Sequence, residues 1–166
     1  MKVYGNSKRI TPDTQAGNSE TAYKDFSNSQ DTFSEDHPGV PVKRPVRSIL
    51  FADDEEPVRR LFKEALERFG YQVRLATNGN EAIALFLENP ADLIITDIFM
   101  PEKDGHTLIL EIKRDFPEVP IFAITGKKFY DTQMELDIAR TLGAIKVFTK
   151  PCKLSQLITA IKELSV

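Results

Sequence analysis

The sequence predicts an α/β domain: a doubly wound sheet of five parallel strands, preceded by a disordered N-terminal extension. Three observations carry this. Five short apolar runs have their starts 20 to 28 residues apart, the spacing of strand–helix units joined by short loops. The segments between them carry apolar residues at helical period. Residues 1–46 have a different texture from everything after them.

The extension comes first. "TPDTQAGNSETAYKDFSNSQDTFSEDHPGVPVKRP" is rich in Ser, Thr, Asn, Asp and Pro. Its large apolar residues, Tyr4, Ile10, Tyr23, Phe26 and Phe33, follow no period, and over residues 1–46 six basic and six acidic residues cancel. Such a segment buries too little apolar area to offset chain entropy. Residues 1–46 are therefore expected to be a disordered tail, with Pro38, Pro41 and Pro45 forming a semi-extended linker. Its role is that of a spacer or a docking peptide. Residues 47–166 form the folded domain.

Within that domain, "SILFA" (48–52) reads as the first strand. A helix follows, with Val58, Leu61, Phe62, Ala65, Leu66 and Phe69 on one apolar stripe. "YQVRLA" (71–76) is the second strand and Asn80 to Leu87 the second helix. "DLIIT" (92–96) is followed by a helix from Gly105 to Phe116. "VPIFAIT" (119–125) is followed by a helix from Asp131 to Leu142, and "AIKVFT" (144–149) by one from Leu154 to Leu164. The first, third and fourth strands are nearly continuous apolar runs, as expected of strands covered on both faces. The second alternates and the fifth carries Lys146, which marks them as edges. Order 2-1-3-4-5 satisfies this, the flavodoxin-like doubly wound arrangement.

Composition excludes several function classes. The net charge of −3 gives no electrostatic case for nucleic acid or an anionic membrane. Residues 47–166 hold 16 basic and 19 acidic residues, which argues against direct DNA binding. The single cysteine, Cys152, forbids an internal disulfide. "MKVYGNSKRI" has no apolar segment behind it to make a signal peptide. No apolar run approaches the roughly 18 residues of a membrane helix. A soluble cytoplasmic protein is expected.

In a parallel sheet the C-terminal strand ends share one edge, where ligands bind. Here those ends carry Asp53 and Asp54, Asp97, Thr125 and Lys150. Each has an ordinary reading by itself: "DDEEP" as a helix start with an Asp N-cap, Asp97 as a turn residue, Thr125 as a strand residue, and Lys150-Pro151 as a solvated lysine before a helix-starting proline. Together they differ. Three crowded carboxylates resist ionisation unless a cation joins them. Oxygen ligands without clustered His or Cys favour Mg²⁺ over zinc. A carboxylate beside Mg²⁺, a lysine and a hydroxyl suits a phosphoryl acceptor. Asp97 is the candidate nucleophile, with Thr125 and Lys150 meeting the phosphoryl oxygens.

"ILFADDE", "TDIFMPEKDG", "AIT" and "TKP", in this order and spacing, resemble the receiver domain of two-component response regulators over residues 47–166. The likeness is to the stand-alone, chemotaxis-regulator-like kind. It implies that Asp97 is the phosphoacceptor. It also implies that Asp53 and Asp54, with Asp97 and the main-chain carbonyl of Phe99, hold Mg²⁺, and that Lys150-Pro151 is cis. Implied partners are a histidine kinase or histidine phosphotransferase, with Val58, Leu61 and Pro151 as docking candidates, and a downstream protein target. Val58 and Leu61 have core positions as their alternative role. No output module follows the last helix of this sequence, so output is expected through a protein partner or a phosphorelay. The domain then acts as a signalling module with Mg²⁺-dependent self-phosphorylation rather than as an enzyme.

Departures from the family pattern shape the expected switch. The aromatic residue often found three positions before the lysine is replaced by Val147, and the ring is on Phe148, which alternation points to the other face. The switch is therefore expected in Gly126-Lys127-Lys128 and the start of the next helix, with the fourth helix, fifth strand and fifth helix as output surface. Three alternatives compete. A haloacid-dehalogenase-type hydrolase needs a second acid where Phe99 stands. A flavodoxin-like cofactor binder needs a Ser/Thr/Gly-rich loop where the acids lie. An unphosphorylated structural adaptor would leave the acceptor set unused.

Overall fold

The computed structural model describes residues 45–126 and 132–164. The proposed disordered tail, up to residue 44, and Lys127-Lys128 of the expected switch loop lie outside the described residues. The chain alternates β1 (Ser48–Ala52), α1 (Glu56–Arg68), β2 (Gln72–Ala76), α2 (Gly79–Glu88), β3 (Leu93–Asp97), α3 (Gly105–Asp115), β4 (Ile121–Thr125), α4 (Thr132–Thr141), β5 (Lys146–Thr149) and α5 (Leu154–Leu164). The strands form one parallel sheet in the order β2-β1-β3-β4-β5. The flavodoxin-like expectation therefore holds. Among the described residues no helix is long and apolar enough to cross a membrane.

Strand alternation divides the core in two. Leu50, Ile94, Ile121 and Ala123 face α2, α3 and α4, meeting Phe86, Leu108, Ile112 and Ala139. Ile49, Phe51, Leu93, Ile95, Phe122 and Ile124 face α1 and α5, meeting Phe62, Leu66, Leu157 and Ile161. All of β3 and β4 is buried, whereas Lys146 on the β5 edge is exposed and pairs with Glu163 at 3.0 Å. A charged side chain on an edge strand also blunts edge-to-edge pairing. Val46, assigned to the linker on composition, is buried beside this second core, so packing begins one residue before the expected boundary.

Two expectations for α1 are corrected. Leu61 and Phe69, placed on the core stripe, are 65% and 54% exposed. Because α1 shares its sheet face with α5, only the row through partly buried Val58, Phe62 and Leu66 turns inward. The helix also has Glu55 as its N-cap, with no side-chain cap bond. The Asp53 carboxylate instead accepts from the Glu55 amide at 2.9 Å, one residue before the helix. By contrast α2 and α3 start on side-chain caps: Asn78 accepts from the Glu81 amide, and Asp104 from the Thr107 amide.

The opposite edge of the sheet is pinned by Asp92, between α2 and β3. Its Oδ2 accepts from the Arg47 and Ser48 amides and from the Ser48 hydroxyl, at 2.8–2.9 Å. Partial burial acts to raise its pKa. The Ser48 and Arg47 hydrogen bonds outweigh that and hold it below the ordinary carboxylate range. A depressed acid contributes stability above its unfolded pKa and loses it as pH falls through the folded value. Asp92→Ala should therefore cost about 1 kcal/mol at neutral pH, a modest figure because the site is exposed. Urea unfolding of variant and wild type should converge as the pH falls below the folded pKa.

Candidate functional site

The parallel topology brings the ends of β1, β3, β4 and β5 to one edge. Register places Asp97 opposite Ile124 and Thr125 opposite Thr149. The Lys150 amide donates to the Thr125 carbonyl at 2.7 Å, extending the ladder by one bond. This carries the Lys150 side chain back over the sheet edge. Its Nζ lies 2.7 Å from Asp97 Oδ2, 2.8 Å from Asp53 Oδ2 and 3.5 Å from Glu55 Oε1. The Lys150-Pro151 peptide is cis, as the sequence resemblance implies.

Asp97 is almost fully enclosed, 3% exposed, and Asp53 is 1% exposed. Both Asp97 oxygens are engaged. Oδ2 takes the lysine, and Oδ1 accepts from the Ile98 amide at 2.7 Å with the Phe99 amide at 3.4 Å. Burial raises the Asp97 pKa. The Lys150 hydrogen bond and charge oppose this, the nearby Asp53 charge reinforces it, and the net shift is upward. Lys150 shows the mirror image. Burial alone would lower its pKa, but the Asp53 and Asp97 carboxylates overcome that and hold it well above the ordinary lysine value. The lysine stays an ammonium, and Asp97 is a carboxylate kept short of water and of positive charge.

That deficit bears on a metal. The ligand atoms of Asp53, Asp54 and Glu55 all lie within 4.8 Å of one another. Asp54 Oδ1 is buried with no hydrogen-bond partner among the described residues, a state that folded proteins largely avoid. One ammonium does not balance these acids and Asp97 together. An all-oxygen set with an orphaned buried acceptor fits a hard divalent cation.

Thr125 is wholly buried at the end of β4. Its hydroxyl lies 3.5 Å from the Gly126 carbonyl oxygen, at the limit of a hydrogen bond. Its link to the cluster runs through the backbone, by the Lys150 amide. Asp53, Asp97 and Lys150 are thus in direct contact, Asp54 joins through the acidic group, and Phe99 through its amide. Val147 packs toward the core beneath α2–α4. Phe148 packs on the opposite core, its ring 5.7 Å from that of Phe122, as alternation predicts.

Sequence reasoning missed four contributors. Glu55 was read only as part of a helix start, although its place in the run "DDEE" was a usable signal. The Arg59 guanidinium donates to the Asp53 carbonyl at 2.7 Å and braces the acidic turn from α1. The Ile98 amide orients Asp97, and no side-chain pattern reports a main-chain donor. Gly105 lies against the acceptor strand: a Cβ there would stand 2.1 Å from the Asp97 carbonyl oxygen. "DG" in the sequence signals a turn, not this close approach.

The family model described as the response regulator receiver domain matches residues 49–162. Among similar solved structures is a response regulator receiver domain protein from Clostridium thermocellum. It is 30% identical with a TM-score of 0.67, the match covering 72% of this chain and 94% of that one. The signal receiver domain of a signal transduction histidine kinase from Syntrophus aciditrophicus is 32% identical with a TM-score of 0.65, over 72% and 89% of the two chains. The receiver domain of NtrX from Brucella abortus is 29% identical with a TM-score of 0.65, over 70% and 97%.

Proposed function

The chain belongs to the response regulator receiver domain family, and from that premise we propose that it accepts a phosphoryl group on Asp97 from a phosphohistidine of a histidine kinase or phosphotransferase. It then signals by phosphorylation-dependent protein binding or passes the group on in a phosphorelay. It is a cytoplasmic signalling module, and the chemistry resides in residues 47–166, with residues 1–46 an extension it does not need.

The carrying observation is the Asp97 carboxylate, enclosed at a rigid strand end with one oxygen on the Ile98 amide and the other on Lys150. An Asp97 oxygen attacks phosphorus, the P–N bond of the phosphohistidine breaks, and the imidazole leaves with the electron pair and takes up a proton. The product is an acyl phosphate on Asp97. Lys150 shifts from the carboxylate to a phosphoryl oxygen, exchanging one charge-assisted bond for another. Thr125, whose hydroxyl is weakly held, turns to donate to a second oxygen. Mg²⁺, when held by Asp53, Asp54, Asp97 and the Phe99 main-chain carbonyl, supplies positive charge against the transferring group.

The α1 surface suits the donor protein, since Leu61 is exposed rather than packed in the core, and Pro151 is exposed too. Met134 and Ile145, 57% and 46% exposed, lie on the side of α4 and β5 that we assign to output. Incubated with a phosphorylated histidine kinase or acetyl phosphate and Mg²⁺, the protein should take up a base-labile phosphoryl label. EDTA should prevent uptake and excess Mg²⁺ restore it. Labelling that persists in EDTA would contradict the metal assignment. A chain that takes no label from any donor would be a structural adaptor.

A further inference from the structure

α3 is fastened to the acceptor strand. The Gly105 amide donates to the Ile98 carbonyl at 2.8 Å, and a Cβ at this position would stand 2.1 Å from the Asp97 carbonyl oxygen, so no side chain fits. The next residue, His106, reaches across to α4. Its Nε2 lies 3.2 Å from the main-chain oxygen of Glu135, and its Nδ1 lies 3.6 Å from the Glu135 carboxylate. A carbonyl only accepts, so Nε2 is the donor. Glu135 sits in the first turn of α4 and is 8% exposed. Among the described residues, His106 is the polar side chain that reaches the first turn of α4 beside Glu135. A continuous line of contacts therefore runs from the Asp97 backbone through Gly105 and His106 to the start of α4.

Among the described residues, β5 offers no second line of that kind. Val147 faces the α4 side with a short β-branched side chain, and the Phe148 ring faces away toward Phe122. Thr125 and Gly126 lie just before α4 in the chain. A phosphoryl group on Asp97 that draws in the Thr125 hydroxyl shifts the end of β4, while His106 holds the first turn of α4 in place.

We propose that the His106–Glu135 contact is a latch on α4, closed when Asp97 is a free carboxylate paired with Lys150 and opposed to the rearrangement that phosphorylation drives. The proposal rests on the phosphoacceptor reading of Asp97. His106 is a positioning residue that acts through Glu135 and touches no reacting atom. Coupling between two sites is reciprocal. If the latch resists the phosphorylated arrangement, removing it must tighten binding of a phosphoryl mimic by the same factor that it loosens α4.

The test is a beryllofluoride titration of the full chain in Mg²⁺, with α4 amide exchange read at zero and saturating mimic. His106→Leu should bind beryllofluoride roughly fivefold more tightly than wild type. It should exchange faster in α4 before the mimic is added and show a smaller mimic-induced change. His106→Gln, whose amide can still donate to the Glu135 carbonyl, should stay near wild type. Glu135→Gln, which also keeps the carbonyl contact, should likewise stay near wild type. A merely structural role for His106 would change α4 exchange equally with and without the mimic and leave its affinity unaltered. The proposal is overturned if affinity is unchanged or weaker in His106→Leu, or if His106→Gln behaves like His106→Leu. If wild type itself binds no beryllofluoride, the reading of Asp97 falls, and the latch with it.

Discussion

Asp97→Asn takes up no phosphoryl group from any donor, and Lys150→Ala takes it up roughly a hundredfold more slowly than wild type. The Asn side chain keeps the shape of the site, and its oxygen can still accept from the Ile98 amide. Its amide is a poor nucleophile, because the nitrogen lone pair is delocalised into the carbonyl. Lys150→Ala removes the fixed cation that meets the transferring oxygens. It also strands two enclosed carboxylates, Asp53 and Asp97, whose shared ammonium is only 22% exposed. Breaking such a buried pair costs about 3 kcal/mol. The loss should be largest in EDTA and partly recovered in Mg²⁺. Urea unfolding in the two buffers separates this effect from the rate effect. Lys150→Arg should not rescue the rate, because a planar fork does not replace a compact ammonium held between two carboxylates.

The second large effect lies away from the charges. Gly105→Val should lower stability by about 3 kcal/mol and the Tm by about 10 °C. A Cβ at residue 105 would stand 2.1 Å from the Asp97 carbonyl oxygen and 2.8 Å from the Ile98 Cα. Both are main-chain atoms that cannot swing aside. The only relief is to push the β3 end away from α3, which also disturbs the 2.7 Å bond between the Ile98 amide and Asp97. Phosphoryl uptake at a temperature where the variant remains folded should therefore fall as well. Equal Tm and equal uptake would show that the strand end tolerates displacement.

Much of this was legible because strand texture encodes position. "DLIIT" and "VPIFAIT" are nearly continuous apolar runs, and the β3 and β4 strands that they mark are fully buried. "YQVRLA" and "AIKVFT" carry the polar residues that edges tolerate. Once the order is known, the parallel direction alone gathers Asp53, Asp97, Thr125 and Lys150 at one edge. What escaped has physical causes. A helical stripe does not say how many helices share a sheet face, so Leu61 and Phe69 were placed in a core that α5 occupies. An acidic run does not say which acid caps, because that depends on the turn that sends Asp53 back to the Glu55 amide. His106 and Glu135 are 29 residues apart, and only the packing of α3 beside α4 joins them.

The central claim is that Asp97 is the acceptor. The most direct test is to phosphorylate the full wild-type chain with acetyl phosphate and Mg²⁺, trap the acyl phosphate by borohydride reduction, and locate the modified residue by tandem mass spectrometry. The account predicts reduction at Asp97 alone, with none at Asp53, Asp54 or Glu55 and none in a sample treated with EDTA. Modification at another residue, or undiminished modification of the Asp97→Asn variant, would contradict it.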